Sequence, residues 1–186
     1  ARRSGAGKTS HVLLTGGVIG TAVLRAAGAS PARTKVDWST VHLWWGDELF
    51  LPASDPERND VRAHRALIDH IDIRAENVHA MAGADSGVDM AAAAEAYAGE
   101  LAMFAADDQE WPSFYVCFLG VGPDGHIASL FPDRGEIQST DAVVLPVSGA
   151  PKPPSERLTL TRPVLNSARC VWPVSYTHLT LPTKRI

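Results

Sequence analysis

The sequence is poor in the residues and patterns that mark several common protein classes. It has only two cysteines, Cys117 and Cys170, in 186 residues. A chain of this size with two thiols is not a disulfide scaffold and is compatible with a reducing compartment. Both sit in apolar, strand-like runs and are expected to be buried. No apolar stretch approaches the roughly 20 residues of a membrane span. The basic first residues are not followed by the apolar run of a signal peptide. A cytoplasmic location, with no membrane partner, is the expectation. No Lys/Arg cluster stands out and the net charge is -4; nucleic-acid binders usually present a basic face, so none is expected as a partner. There is no Gly-x-Ser-x-Gly for a serine-hydrolase elbow, and no His-Glu-x-x-His or Cys-x-x-Cys. His64 and His70, six apart, do not share a helical face, so no metal site is expected. Gly5-Ala6-Gly7-Lys8-Thr9 resembles the end of a phosphate-binding P-loop. The earlier glycine that motif needs would fall at Arg2, and the stretch precedes the first strand where a P-loop follows one.

What is present is the composition of one globular domain, with 45% apolar and 20% charged residues. His11–Thr15, Val41–Trp45, Phe114–Leu119, Ala142–Val147 and Cys170–Val174 read as strands, Asn77–His79 as a short one, and Leu158–Thr161 as extended. Thr21–Ala29, Pro56–Ile71, Val88–Ala106 and Val164–Ala168 read as helices, the second with Val61, Leu67, Ile68 and Ile71 on one apolar stripe. Strands that are apolar on both faces and alternate with helices predict an α/β fold, a mostly parallel sheet flanked by helices. In such sheets ligands sit beyond the carboxyl ends of the strands. Gly16-Gly17, Gly46-Asp47-Glu48 and the segment from Gly120 to His126 all fall at that edge.

The last of these is the most informative: Gly120-Val121-Gly122-Pro123-Asp124-Gly125-His126-Ile127-Ala128-Ser129-Leu130-Phe131-Pro132. Its glycines allow a sharp bend and close approach to a ligand. Pro123 fixes the turn, and the segment after it is expected to start a helix with His126 in its first turn. A helix N-terminus disfavours imidazolium, which would leave a neutral imidazole to accept a proton from water.

This segment resembles the signature of the 6-phosphogluconolactonase family. Three other stretches agree in order: Trp44-Trp45-Gly46-Asp47-Glu48, Glu57-Arg58-Asn59, and Pro151-Lys152-Pro153-Pro154 with Arg157-Leu158-Thr159-Leu160-Thr161. Four ordered matches are specific where one short motif is not. The wording is most similar to actinobacterial members. The resemblance implies a sugar-phosphate isomerase-like, Rossmann-like three-layer fold, shared with glucosamine-6-phosphate deaminases. It also implies hydrolysis of 6-phosphogluconolactone in the oxidative pentose phosphate pathway, with no metal or organic cofactor; a monomer is the expected form. His126 would activate water, with Asp124 beside it. Thr15, Gly16 and Gly17 would form a phosphate-facing loop, since backbone N–H groups in such a turn bind anions. Lys152 and Arg157 would meet the phosphate or close the loop, and Asp47, Glu48, Asn59, Gly122 and Gly125 complete the expected substrate-binding set. Two alternatives remain open: a sugar-phosphate isomerase or deaminase of the same fold, and an inactive sugar-phosphate binder.

The sequence also departs from the family pattern. The family's Gly-Asp-Glu-Arg is Gly46-Asp47-Glu48-Leu49 here, and leucine replaces neither the charge nor the donors of arginine. Activity is therefore expected to be reduced. The glycine loop reads Gly16-Gly17-Val18-Ile19-Gly20. Residues 1–174 are expected to form a single domain incomplete at both ends. Residues 175–186 resemble translated adapter sequence and are expected to be a non-native tail.

Overall fold

The computed structural model describes residues 9–175. The tail expected at 175–186 lies, apart from Ser175, outside them, as do residues 5–8 of the P-loop-like stretch. Five strands form a parallel sheet: β1 (Ser10–Leu14), β2 (Val41–Trp45), β4 (Val78–His79), β5 (Phe114–Gly120) and β8 (Val171–Val174), in the order β4-β2-β1-β5-β8. The chain builds outward from β1 to one side through β2 and β4, then to the other through β5 and β8. The switch point, where α/β sheets open a crevice, therefore falls between the carboxyl ends of β1 and β5.

Consecutive residues of a strand point to opposite faces, and both faces here are apolar. Leu13 and Trp44 join one core with Tyr97, Leu101 and Phe114. Their neighbours Leu14 and Trp45 join the other with Leu24, Ala63 and Leu67. The second core is roofed by α1 (Gly17–Ala29) and α2 (Asn59–Ala66), the first by α3 (Met90–Met103) and α4 (Arg162–Asn166). The result is the three-layer α/β fold with a mostly parallel sheet that the alternating pattern predicts. No described helix is long and apolar enough to cross a membrane.

The runs around residues 144 and 158 are extended as expected but lie in a different sheet. Here β3 (Asp47–Leu49), β6 (Val144–Val147) and β7 (Arg157–Leu160) form an antiparallel sheet in the order β3-β7-β6. Gly46 joins the two sheets. Its N–H donates to Leu14 O at 3.0 Å, closing the parallel ladder, while its carbonyl accepts from Leu160 N at 2.8 Å.

Three local readings are corrected. The helix read across Pro56–Ile71 is only Asn59–Ala66, followed by a 3-10 turn at Ile68–His70. Its start is fixed from outside the helix. Both carboxylate oxygens of Glu48, on β3, accept from the free N–H groups of Asn59 and Asp60, at 2.8 and 2.9 Å. No helix follows Gly125. Ala128 has φ 48°, and Ile127 bridges back to Val121 and Leu130, so His126 sits in a compact turn. Finally, Cys117 is buried but Cys170 is exposed, because β8 begins only at Val171.

Candidate active site

A cavity of about 480 Å³ opens at the switch point. One wall is the β1–α1 turn. The N–H of Gly120, at the end of β5, donates to Thr15 Oγ1 at 3.0 Å, so the two strand ends that flank the crevice are tied together. Thr15, Gly16 and Gly17 all line the cavity, with Val18 and Ile19 from the first turn of α1. Another part of the lining is the turn from Gly122 to His126. The N–H of Gly122 donates to His126 O at 2.9 Å and that of Gly125 to Gly122 O at 3.0 Å. A Cβ on Gly122 would fall 2.1 Å from His126 Nδ1, so only glycine lets the imidazole fold over this turn.

His126 is held on three sides. Its Nδ1 lies 2.5 Å from Asp124 Oδ1, and its ring stacks on Phe131 with centroids 4.8 Å apart. Lys152 Nζ donates to the same Asp124 oxygen at 3.0 Å and stands 3.4 Å from His126 Nδ1. The hydrogen bond from His126, and then that from Lys152, holds the Asp124 carboxyl well below the usual carboxylate range. An ionised Asp124 can only accept, which assigns the proton to Nδ1 and leaves Nε2 as the acceptor in the neutral ring. Nε2 has no hydrogen-bond partner among the described residues. The environment of this histidine is therefore set by a carboxylate and not by the helix N-terminus expected from the sequence.

Beneath the imidazole lies a buried polar layer. Asp47 Oδ2 accepts from Ser129 Oγ at 2.8 Å, and Ser129 N donates to Thr159 Oγ1 at 3.3 Å. Burial pushes the Asp47 carboxyl up, opposed by the Ser129 hydroxyl, Arg157 and His126. Arg157, a candidate for the phosphate or for loop closure, bonds to the Pro-rich loop. Its Nε donates to Pro154 O at 2.9 Å and its Nη2 to Lys152 O at 3.0 Å. Its guanidinium stands 5.6 Å above the Phe131 ring, on which His126 also stacks. Arg157 thus fixes the Pro-rich loop that carries Lys152.

Of the residues read from the sequence, Thr15, Gly16, Gly17, Asp47, Asn59, Gly122, His126, Lys152 and Arg157 come together around this cavity. Asp124 stands behind His126. Glu48 and Gly125 do not line the cavity. Glu48 is only 1% exposed, and caps α2 while its Oε1 also accepts from Leu49 N at 2.8 Å; Gly125 only closes the turn. Leu49, Glu57 and Arg62 line the cavity as well, and Ser129 lies under it. Arg62 belongs to none of the motifs read above, although its spacing of three from Asn59 puts both on one face of α2. Among the described residues no group of three or more His, Cys, Asp or Glu is placed to hold a metal ion.

Residues 2–176 match the family model described as glucosamine-6-phosphate isomerases/6-phosphogluconolactonase. The chain belongs to that family. It is 49% identical over 168 residues to the 6-phosphogluconolactonase of Streptomyces coelicolor, an alignment that covers 88% of this chain and 64% of that protein. To the Mycobacterium tuberculosis 6-phosphogluconolactonase it is 45% identical over 163 residues, covering 87% and 65%. The chain therefore spans a little under two thirds of the length of these family members. Among solved structures it resembles the devB protein with TM-score 0.83 at 29% identity, covering 94% of this chain and 71% of that one. The Thermotoga maritima 6-phosphogluconolactonase aligns with TM-score 0.76 at 28% identity, covering 89% and 69%. A monomeric glucosamine-6-phosphate deaminase, TM-score 0.69 at 15% identity, covering 89% and 69%, shares the fold.

Proposed function

We propose that this chain hydrolyses 6-phospho-D-glucono-1,5-lactone to 6-phosphogluconate, with His126 as the base that activates water. The observation that carries the reading is the imidazole itself. It is oriented by Asp124 through Nδ1, and its Nε2 is unpartnered on a ring that lines a cavity. That is the arrangement of a general base held in one tautomer by a carboxylate. The names of the relatives with the highest identity described above support the same substrate.

The chemistry follows from the groups present. A lactone is a cyclic ester. Water oxygen attacks the carbonyl carbon while His126 Nε2 takes the water proton, and the carbonyl oxygen becomes an oxyanion. When the ring C–O bond breaks, the imidazolium returns the proton to the departing ring oxygen, which becomes a hydroxyl group. Asp124 stabilises the imidazolium between the two steps, and Lys152 is the cation nearest this chemistry. Preorganised charge of this kind is worth more in a partly enclosed site than in water. No step calls for a metal, an organic cofactor or a second subunit, and we take the working form to be a monomer. The phosphate end would be received at the Thr15–Gly17 turn, which lines the cavity and leads into the N-terminus of α1.

The test is a lactone assay against a no-enzyme control, because the lactone also opens spontaneously, run in parallel with glucosamine 6-phosphate. Catalysed hydrolysis is expected to fall about 10²- to 10⁴-fold in His126→Ala with product binding retained. Normal turnover in that variant removes His126 from the mechanism. Release of ammonia from glucosamine 6-phosphate, with no lactone turnover, would assign the chain to the other chemistry of its family.

A further inference from the structure

We propose that Arg62, on α2, is the side chain that recognises the phosphate of the substrate, in a cavity where position 49 offers only leucine. The inference rests on the lactonase reading above and names the residue that would give it specificity for a phosphorylated ring.

Among the described residues, Arg62, Lys152 and Arg157 are the Lys and Arg side chains that line the cavity. Arg157 is 9% exposed and spends its donors on the carbonyls of Pro154 and Lys152 and on Ser129 Oγ. Lys152 is bonded to Asp124 and stands beside His126, at the end where the ester would react. Arg62 differs from both. Its Nε donates to Pro56 O at 3.2 Å, which fixes the side chain. Its two Nη groups have no hydrogen-bond partner among the described residues, and no carboxylate lies within 4.0 Å of it. A half-buried guanidinium with both outer nitrogens free is a fork that suits a phosphate, which it can bind through two N–H groups.

Its position fits the same role. Asn59, one turn earlier on α2, packs against the backbone of Gly16, and Arg62 follows it on the same helix face. Arg62 is thereby placed beside the Thr15–Gly17 turn, on a different element of the cavity lining from the turn that carries His126. A ligand with its anionic group there presents its other end to the imidazole. Leu49, which also lines the cavity, contributes no side-chain donor. Glu57 also lines the cavity and would repel an anion, so the attraction at this end falls to Arg62 and the backbone. Separating the two cations, one at the anchoring end and one at the reacting end, would let the phosphate contribute binding without competing for the group beside the ester.

The experiment compares the parent with Arg62→Gln and Arg62→Lys, using the phosphorylated lactone, unphosphorylated glucono-1,5-lactone, and calorimetric titration with 6-phosphogluconate. For Arg62→Gln, KM for the phosphorylated lactone and Kd for 6-phosphogluconate are expected to rise about 10- to 100-fold, the size of a lost bond to a charged group. The loss in kcat/KM should be confined to phosphorylated substrate, with kcat/KM on the unphosphorylated lactone falling far less. Adding Leu49→Arg to that variant should recover a large part of the loss. Unchanged KM and Kd in Arg62→Gln, with an active parent, overturn the role of Arg62 and leave the lactonase reading standing. A parent that neither turns over the lactone nor binds 6-phosphogluconate overturns both. If Arg62→Gln does not fold, Arg62→Lys decides: a several-fold loss confined to phosphorylated ligands supports the role, and an equal loss on both lactones overturns it.

Discussion

The side chain of Asn59 fills the space into which a Cβ on Gly16 would project. An added methyl would lie 1.8 Å from Asn59 Oδ1, while Asn59 Nδ2 donates to Asp47 O at 3.0 Å. The β1–α1 turn, the start of α2 and the buried Asp47 strand are therefore locked to one another at the wall of the cavity. Gly16→Ala must move either the turn or Asn59. Overpacking of this kind costs about 1–3 kcal/mol, read as a lower urea midpoint, with weaker binding of 6-phosphogluconate alongside. Asn59→Ala in the same chain should relieve the clash, so that the double variant loses less stability than the sum of the single changes. Strict additivity would show that the two residues do not press on each other.

Asp124 makes a second prediction. Asp124→Asn keeps a similar shape but removes the negative charge that stabilises the imidazolium and fixes its tautomer. A loss in kcat of about 10²- to 10⁴-fold is expected, with KM within a few-fold of the parent. Lys152 also loses its carboxylate partner. A fall in KM-governed affinity with kcat untouched would place Asp124 in binding and not in the orientation of His126.

Much of this arrangement could be read from residue order alone, for a physical reason. Buried parallel strands have to be apolar on both faces, so Val41-His42-Leu43-Trp44-Trp45 and Phe114-Tyr115-Val116-Cys117-Phe118 declare themselves locally, and glycine-rich turns mark the carboxyl edge. What failed were properties fixed by distant partners. Nothing near Leu158 tells which sheet it enters; that is decided by its pairing with Glu48 and Pro146. The start of α2 is set by Glu48, eleven residues upstream of Asn59, so a carboxylate that reads as a binding group serves as a helix cap. Arg58 likewise stands in a family motif, yet is 1% exposed and tied to Asp60 and to Met81 O. The turn after Gly125 looks like the start of a helix until the left-handed backbone at Ala128 is seen.

Leu49 lends itself to a gain-of-function test. It lines the cavity proposed to receive the substrate, and its backbone is already fixed by the Glu48 carboxylate and by pairing with Arg157. Leu49→Arg adds donors without asking the strand to move. Affinity for 6-phosphogluconate should rise about 10-fold, the value of one additional charged hydrogen bond of ordinary strength, with a matching drop in KM for the phosphorylated lactone. No change in either would mean that the phosphate lies away from this strand.

Acid stability follows from a histidine cluster away from the active site. His11, on β1, accepts from Trp44 Nε1 at 3.1 Å, and its ring centroid lies 4.9 Å from that of His42. His42 in turn bonds His79, whose other ring nitrogen lies 2.5 Å from Glu100. Burial, and then the neighbouring His42 and His79, push the His11 imidazole down to about 4 from its ordinary 6.5. Burial and His79 push His42 in the same direction. The folded protein keeps His11 neutral where the unfolded chain binds a proton. This part of the stability is complete above pH 6.5 and is lost as the pH falls from there toward 4. The full loss from His11 alone is about 3 kcal/mol. Urea unfolding at pH 7.5 and pH 5 should therefore show a marked drop in the parent. His11→Asn, which keeps an acceptor for Trp44 but cannot take up the proton, should flatten that dependence. An equally steep fall in the variant would move the acid sensitivity to another group.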